Sequence, residues 1–316
     1  MNMKEKALQR RNSFLLVLAA FIWGIAFVAQ SEGGKFGPYT FNGIRFLLGA
    51  AVLCPVIFLM NKKNATSSNE AKPANRHALL MGGLSCGFIL GIASTLQQLA
   101  LFYGSTAGKA GFLTTCYIII VPLLGLFLGK KCGWNIWIGT VLTLIGLYLL
   151  CMNGSFTLEF PDLLLLLCAL GFSLHILCVD HFSPMVDGIK LSCTQFLVAG
   201  IVSLIPAFFV DLQHSFANVP AMLAQFAEPT ALIALLYTGI LSSGVAYTLQ
   251  VIGQKGLNPT VASLLMSLES VFSVLGGWVL LHEHLSGREL LGCLLIFVAV
   301  VLAQIPVQSL RKRRAD

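Results

Sequence analysis

The chain has 316 residues, of which 57% are hydrophobic and only 10% are charged, with a formal net charge of +7. An ordinary soluble domain has about 25% charged residues, so this composition excludes a water-soluble fold. The positive charge does not indicate nucleic-acid binding either, because the basic residues lie beside apolar segments and form no single patch.

Ten apolar runs follow one another along the chain. A hydrocarbon core about 30 Å thick requires about 20 helical residues per crossing, and each run has roughly this length. The first run follows a charged segment without a small-residue cleavage site, which favours a retained helix over a signal peptide. We therefore predict an all-α integral membrane protein with ten transmembrane helices, with no room for a soluble catalytic domain. The predicted helices cover residues 13–31, 39–60, 78–101, 106–129, 133–152, 162–181, 190–210, 231–254, 258–281 and 288–306.

The first five runs recur in weak form as the last five. Because each unit has an odd number of crossings, the second copy must enter the membrane from the opposite side, and inverted repeats commonly form a substrate site at their midplane interface. We predict two inverted five-helix repeats, residues 13–152 and 162–306, joined near residues 153–155. The matching pairs are Gly24 and Gly171, Phe46 and Phe196, Gln98 and Gln250, Gly104 and Gly256, Gly125 and Gly277, and Gly139 and Gly292.

The basic residues predict the orientation of the helices. Cytoplasmic loops carry an excess of Lys and Arg, and most basic residues fall on one side if both termini are cytoplasmic. Lys35 and Arg288 are the exceptions. We predict a multi-pass protein of the cell inner membrane or plasma membrane. The basic residues that fall on the cytoplasmic side in this orientation are Lys4, Lys6, Arg10, Arg11, Lys62, Lys63, Lys72, Arg76, Lys130, Lys131, Lys190, Lys255, Arg311, Lys312, Arg313 and Arg314.

Motifs for cofactors and metals are weak. The nine cysteines are scattered and have no paired spacing that would indicate disulfides or a metal site. The segment Gly104–Lys109 resembles a phosphate loop but has one residue too few between its glycines. His282, Glu283 and His284 lack the helical spacing of a zinc protease. We predict no cofactor, no metal site and no catalytic residues.

Several short motifs carry a family resemblance over residues 13–306. Their order and spacing resemble the drug/metabolite transporter superfamily, specifically its EamA-type members with ten helices. The resemblance implies transport of small metabolites, often outward, with amino acids a frequent substrate class. Ser270 stands where the family commonly has proline. The motifs are Trp23-Gly24 with Phe27, Arg45-Phe46, Leu268-Glu269-Ser270-Val271-Phe272, Gly277, Leu281-His282-Glu283-His284-Leu285 and Gly292.

Glu269 and Tyr117 are the first candidates for substrate binding. A polar side chain in a membrane span usually faces the bundle interior, a partner or a water-filled path. Glu269 is the only carboxylate near the centre of a predicted span, and Tyr117 is its repeat mate. Glu269 is also the candidate for proton or cation coupling. The alternative is a structural acid that a helix neighbour, Lys109 or Arg45 satisfies.

Six further residues are predicted to bind substrate, each with helix packing or anchoring as its alternative. The side-chain amides of Gln98 and Gln250, which match in the two repeats, suit polar or zwitterionic ligands. Gln97 and Tyr247 lie beside them in the sequence. The guanidinium of Arg45 either binds a substrate carboxylate in bidentate fashion or serves as a structural anchor. Lys109 likewise either contacts substrate or is structural. The six are Gln98, Gln250, Trp23, Thr114, Met266 and Arg45.

These features together predict a secondary transporter, not an enzyme, that moves small metabolites such as amino acids by alternating access. The expected partners are a small-molecule substrate and the lipid bilayer, and a homodimer is left open. The direction, export, follows from the resemblance alone. The alternative function within the transporter class is antiport of sugar phosphates or nucleotide sugars, although this would need more internal basic residues than Arg45 and Lys109. The alternatives outside that class are an intramembrane enzyme and a membrane scaffold without transport.

Overall fold

The computed structural model describes residues 3–33, 37–66, 75–130, 132–152, 158–225, 228–280 and 286–304. The predicted repeat joint at 153–155, the motif at 281–285 and the basic segment 311–314 lie outside these ranges. Lys35, Lys72 and Lys131 lie outside them as well.

The described residues form an all-α membrane protein without strands. Nine helices within these ranges are long and apolar enough to cross a membrane, and the tenth, α9, is a shorter apolar helix. The first half contains α1 (Met3–Gly33), α2 (Pro38–Thr66), α3 (Arg76–Phe102), α4 (Ala107–Phe127) and α5 (Trp134–Cys151). The second half contains α6 (Phe160–Phe182), α7 (Gly188–Phe209), α8 (Pro229–Gln254), α9 (Pro259–Met266 and Leu268–Leu280) and α10 (Gly287–Gln304).

Two predicted boundaries differ from the structure. The helix α1 begins at Met3 instead of residue 13, because the charged segment before the apolar run consists of good helix formers such as Lys, Glu and Arg. The connection between the predicted helices 190–210 and 231–254 contains a short helix, Val219–Gln225. Neither difference moves an apolar run out of the bundle.

Helices pair across the two halves of the chain. The helix α5 packs on α10 and α2 packs on α7, while the α3–α6 contact has its counterpart in the α8–α1 contact. Exchanging the first five helices with the last five leaves this set of contacts unchanged, as a pseudo-twofold axis requires. The division into repeats at residues 13–152 and 162–306 itself stays a prediction.

The helices α4 and α9 are each interrupted near mid-length. The breaks lie at Cys116 and Ser267, whereas the sequence predicts continuous helices. Hydroxyl side chains next to the breaks donate to carbonyl groups of the preceding turn: Thr115 Oγ1 to the Gly111 oxygen at 2.7 Å and Ser267 Oγ to the Leu264 oxygen at 2.7 Å. Such bonds compete with the helical ladder and often bend helices.

The middle of α8 is a π-helix that spans Tyr237–Tyr247. It packs closely on α2, since a Cβ on Gly49 would lie 3.0 Å from Ser243 Cβ and 3.1 Å from the Gly244 nitrogen. π-Helical segments are rare and frequently occur at functional sites. The small residues of this segment therefore bring the backbone of α8 close to α2.

Two ion pairs join α4 to α6, one at each end of the pair of helices. Lys109 Nζ lies 2.7 Å from Asp162 Oδ2, and the Asp162 side chain is fully buried. Lys130 Nζ lies 2.7 Å from Asp180 Oδ2. The contact with Asp162 supports the structural reading of Lys109, because a buried carboxylate requires a partner.

The contact between α1 and α9 depends on Gly24. A Cβ at this position would lie 2.7 Å from Phe272 Cβ, 2.8 Å from the Glu269 carbonyl oxygen and 2.9 Å from the Ser273 nitrogen. Two of these three atoms belong to the backbone of α9, so a methyl group cannot be accommodated by rotating a side chain. Gly24 therefore sets the distance between α1 and the helix that carries Glu269.

We expect Gly24→Ala to destabilise the protein by about 1–3 kcal/mol through overpacking. The matched control is Gly111→Ala, because Gly111 is also helical and an added Cβ would contact nothing within 4 Å. Thermal unfolding of both variants in detergent tests this. A melting temperature for Gly24→Ala equal to that of Gly111→Ala would contradict the close packing of α1 on α9.

The first turn of α2 is capped by a carboxylate from beyond α7. Asp211 Oδ2 accepts hydrogen bonds from the Thr40 backbone nitrogen at 2.7 Å and from Thr40 Oγ1 at 2.8 Å. Gly37 precedes the helix with φ of +84°, and a Cβ there would lie 2.6 Å from Asp211 Cγ. Burial raises the pKa of Asp211, which the hydrogen bonds from Thr40 oppose. The carboxylate thus pays a desolvation cost in order to cap α2.

Replacing Asp211 separates the hydrogen bonds from the charge. We expect Asp211→Ala to cost about 1–2 kcal/mol, as for the loss of a helix cap. Asp211→Asn keeps an acceptor oxygen and avoids burying a charge, so it should cost clearly less. Unfolding in detergent at pH 7 compares the two variants, and an equal loss for both would show that the charge and not the acceptor is required.

Candidate functional site: a central cavity

A cavity with about 510 Å³ of empty space lies among helices of both halves. Seven of the eight predicted substrate-binding residues line it: Tyr117, Glu269, Gln250, Trp23, Thr114, Met266 and Arg45.

Gln98 is the one predicted binding residue that is not part of the cavity lining. It is fully buried, and its Nε2 donates to the backbone oxygen of Gln30 at 3.0 Å. This bond between α3 and α1 agrees with the packing alternative for Gln98. Its repeat mate Gln250 does line the cavity, so the two amides are not used in the same way.

Sequence reasoning did not select several of the lining residues as binding residues. Gln97 and Tyr247 are sequence neighbours of Gln98 and Gln250, and Phe27 belongs to the first family motif. The sequence therefore contained indications that these three residues line the cavity. The others are ordinary polar or apolar residues of a membrane span, and only the rotation of their helices places them here. These others are Gln30, Phe172, Ile176 and Ser242.

Arg45 lines the cavity and is 2% exposed. Its Nε donates to Asn42 Oδ1 at 2.8 Å, and its Cζ lies 4.9 Å from the centre of the Phe46 ring. Asn42 is in turn held by Thr95 Oγ1 at 2.9 Å and Ser203 Oγ at 3.1 Å. Among the described residues Arg45 forms no ion pair, so its two terminal nitrogens remain free to donate to a ligand.

Glu269 lines the same cavity and is 6% exposed. Thr115 Oγ1 lies 3.4 Å from Glu269 Oε1, but it also donates to the Gly111 oxygen at the shorter distance of 2.7 Å. The Tyr117 hydroxyl is close enough to interact with the carboxyl group. Within the described ranges Glu269 has no cationic partner, because Lys109 pairs with Asp162. The carboxyl group therefore has hydroxyl neighbours but no ion pair within the described ranges.

Aromatic side chains form the wall around these two groups. The rings of Trp23 and Tyr247 meet edge to face with centroids 4.8 Å apart, and Trp23 Nε1 donates to the Ser242 backbone oxygen at 3.3 Å. Tyr247 lines the cavity together with Arg45 and Glu269. The aromatic pair is thus held by the π-helical part of α8 and belongs to the same lining as both groups.

Two amide oxygens in the cavity have no hydrogen-bond partner within the part of the chain that the structure describes. These are Gln30 Oε1 and Gln250 Oε1. A buried acceptor without a donor is costly, by about 1–3 kcal/mol. A ligand with N–H groups would relieve this cost.

The described residues contain no group of three or more His, Cys, Asp or Glu side chains that could hold a metal ion. The cavity instead combines one guanidinium, one carboxyl group, neutral amides and aromatic rings. This combination is suited to binding a small polar or amphipathic molecule that has both hydrogen-bond donors and acceptors.

Comparison with solved structures identifies the fold. One crystal structure superposes with a TM-score of 0.71, covering 96% of this chain and 98% of that chain at 19% sequence identity. At this identity the likeness concerns the fold alone.

Curated relatives extend over nearly the whole chain. An uncharacterized transporter of Archaeoglobus fulgidus is 27% identical over 298 residues, which cover 92% of this chain and 85% of that protein. The uncharacterized transporter YoaV of Bacillus subtilis is 26% identical over 295 residues, 91% of this chain and 94% of that protein. A probable amino-acid metabolite efflux pump of Escherichia coli is 23% identical over 317 residues, 98% of each chain.

The model of the EamA-like transporter family matches this chain twice, over residues 11–152 and 159–304. Together these segments include all ten helices. The chain is therefore a multi-pass membrane transporter that belongs to the EamA-like transporter family.

Proposed function

We propose that this transporter exports small zwitterionic metabolites, amino acids above all, by alternating access. The observation that carries the proposal is the presence of Arg45 and Glu269 in one cavity, each buried and neither ion-paired among the described residues. A guanidinium binds a carboxylate in bidentate fashion, and a carboxylate together with amide oxygens accepts hydrogen bonds from an ammonium group. An amino acid supplies both charged groups.

The lining between the two charges supports a substrate with a variable side chain. Trp23, Tyr247 and Met266 present aromatic and flexible apolar surface to the cavity. Met is unbranched and adapts to ligands of different shape. Amino acids with apolar or aromatic side chains therefore fit the cavity better than acidic or basic ones.

The direction and the energy source are parts of the same proposal. Export is supported by the printed name of the relative from Escherichia coli, a probable amino-acid metabolite efflux pump. We further propose that Glu269 couples transport to protons, because a buried carboxyl group without a cationic partner can exchange a proton when it becomes accessible to water. Substrate and proton would then compete for the same group.

The orientation follows from the positive-inside rule. We propose that both termini are cytoplasmic and that the protein resides in the cell inner membrane or plasma membrane, with two inverted repeats, 13–152 and 162–306, around the cavity. Arg11, Lys130 and Lys255 lie at the end of the bundle where α1 begins, which would then be the cytoplasmic end.

A transporter of phosphorylated sugars is less well supported. Such a substrate carries two negative charges near neutral pH, whereas Arg45 is the only basic side chain among the described residues that line the central cavity. Lys109 is bound to Asp162 and does not line it.

We expect intact cells that express this chain to accumulate a few amino acids in the medium, and cells with Glu269→Gln to lose this accumulation. Untargeted mass spectrometry of the medium measures this at matched membrane abundance. The control is Glu228→Gln, which removes an exposed carboxylate outside the cavity and should export normally. Accumulation of phosphorylated sugars instead of amino acids would contradict the proposal.

The roles of the two charged residues can be separated in proteoliposomes by competition. A hydrogen bond to a charged group is worth about 1.5–3 kcal/mol. Arg45→Gln should therefore weaken, roughly 10- to 100-fold, the inhibition of labelled-substrate transport by a competing amino acid. It should leave inhibition by the corresponding amino amide, which lacks the carboxylate, nearly unchanged.

Glu269→Gln tests the coupling in the same preparation. This variant should retain exchange of labelled for unlabelled substrate but lose acceleration by a pH gradient, whereas Arg45→Gln should retain that acceleration at high substrate concentration. Undiminished acceleration in Glu269→Gln would exclude Glu269 as the coupling group.

A further inference from the structure

A second cavity of about 590 Å³ lies at the end of the bundle where α1 begins and α8 ends. It is lined by Arg11 from α1, by Ser183 and Asp187 from the connection between α6 and α7, and by Lys255 directly after α8. It shares no lining residue with the central cavity. We refer to it as the end cavity.

Three charged side chains line the end cavity, and none of them forms an ion pair with a described residue. Arg11 donates from Nε and Nη2 to Asn12 Oδ1 at 3.3 and 3.1 Å, and Asn12 Nδ2 donates to the Lys255 backbone oxygen at 2.7 Å. Asn12 thus holds the backbone of Lys255 beside Arg11. Two cations share this wall of the cavity.

The carboxylate in the lining of the end cavity, Asp187, has one oxygen available. Asp187 Oδ1 accepts hydrogen bonds from the backbone nitrogens of Ile189 and Lys190, both at 3.0 Å, and so caps α7. Asp187 Oδ2 has no partner in the described part of the chain. It can therefore accept a hydrogen bond from a ligand without disturbing the cap.

A buried hydroxyl group also lines the end cavity. Ser183 is 1% exposed, and its Oγ has no hydrogen-bond partner among the described residues. Leaving such a group unsatisfied costs about 1–3 kcal/mol. An acceptor oxygen inside the cavity would satisfy it.

Apolar side chains complete the walls, namely Val186, Val251 and Ile252. The end cavity lies at the ends of membrane-spanning helices, which is the depth at which lipid headgroups meet the hydrocarbon region. A ligand at this position therefore meets charged groups on one side and apolar surface on the other.

We propose that the end cavity binds the headgroup of a phospholipid that carries both a phosphate and a primary amine, as phosphatidylethanolamine does. Arg11, Lys255 and Ser183 donate to the phosphate oxygens, and Asp187 Oδ2 accepts from the ammonium group. The apolar side chains contact the glycerol and the first carbons of the acyl chains. Basic pockets between transmembrane helices are known to bind lipid headgroups, and the carboxylate adds a preference for an amine.

A bound headgroup would connect the two halves of the transporter. Arg11 belongs to α1, whereas the remaining lining residues belong to the connection between α6 and α7, to α7, to α8 and to the residue directly after α8. The lipid would thus strengthen a contact that already includes the Asn12 hydrogen bond to Lys255.

Native mass spectrometry of the full chain in detergent tests the proposal by titration with three probes. These are phosphatidylethanolamine, phosphatidylglycerol with the same acyl chains, and soluble phosphoethanolamine. Phosphatidylethanolamine should bind more tightly than phosphatidylglycerol. The double variant Arg11→Gln with Lys255→Gln should bind it roughly thirtyfold more weakly, since each cation near the surface contributes about 1 kcal/mol.

Two variants serve as matched controls. Lys6→Gln with Arg10→Gln removes the same charge from exposed positions of α1 and should leave binding unchanged. Asp187→Asn retains a side chain that caps helices well, and it should reduce the affinity for phosphatidylethanolamine to that for phosphatidylglycerol. Thermal unfolding confirms that each variant is folded.

Equal affinity for the two lipids in the unaltered protein would overturn the proposal. So would an equal loss of binding in the two double variants, because it would assign lipid binding to net charge. Complete displacement of the lipid by soluble phosphoethanolamine at equal concentration would assign the site to a soluble phosphate ester instead of a lipid.

Discussion

The architecture of the cavity depends on holding a guanidinium and a carboxyl group in one lining inside an apolar bundle. Burying an ion without a partner costs several kcal/mol. Among the described residues neither Arg45 nor Glu269 forms an ion pair, so the guanidinium relies on hydrogen bonding. Asn42, itself held by two hydroxyl groups, accepts a hydrogen bond from the guanidinium, and Tyr247 lines the cavity together with both groups.

Several charged residues outside the central cavity are paired. Lys109 and Lys130 each bind an aspartate of α6 at 2.7 Å, and these contacts fix α4 to α6 at both ends. Asp211 caps α2 from beyond α7. These paired charges hold helices together, whereas Arg45 in the central cavity has no ion-pair partner among the described residues. The end cavity repeats this arrangement with Arg11 and Lys255 near a carboxylate that they do not contact.

Departures from regular helix geometry occur where the central cavity is built. The breaks at Cys116 and Ser267 place Tyr117 and Glu269 in the first turn of a new helical segment. The π-helical part of α8 contributes Ser242 and Tyr247 to the lining. Backbone irregularity inside a membrane is tolerated where it is buried in protein or lines a cavity. The close approach of α1 at Gly24 then brings the second segment of α9 against the first helix.

The sequence by itself determined the membrane class, the ten apolar runs, the family and half of the residues that line the cavity, because lipid imposes a length and a polarity on every span. A lone carboxylate in a span, Glu269, is visible without any structure. Hydropathy does not encode the rotation of a helix or its contacts with distant residues. Only the tertiary structure therefore decided that Gln250 lines the cavity while Gln98 bonds to the backbone of α1. It also decided that Lys109 is bound to Asp162 while Arg45 remains unpaired, since the partners of a buried charge are chosen by packing between helices.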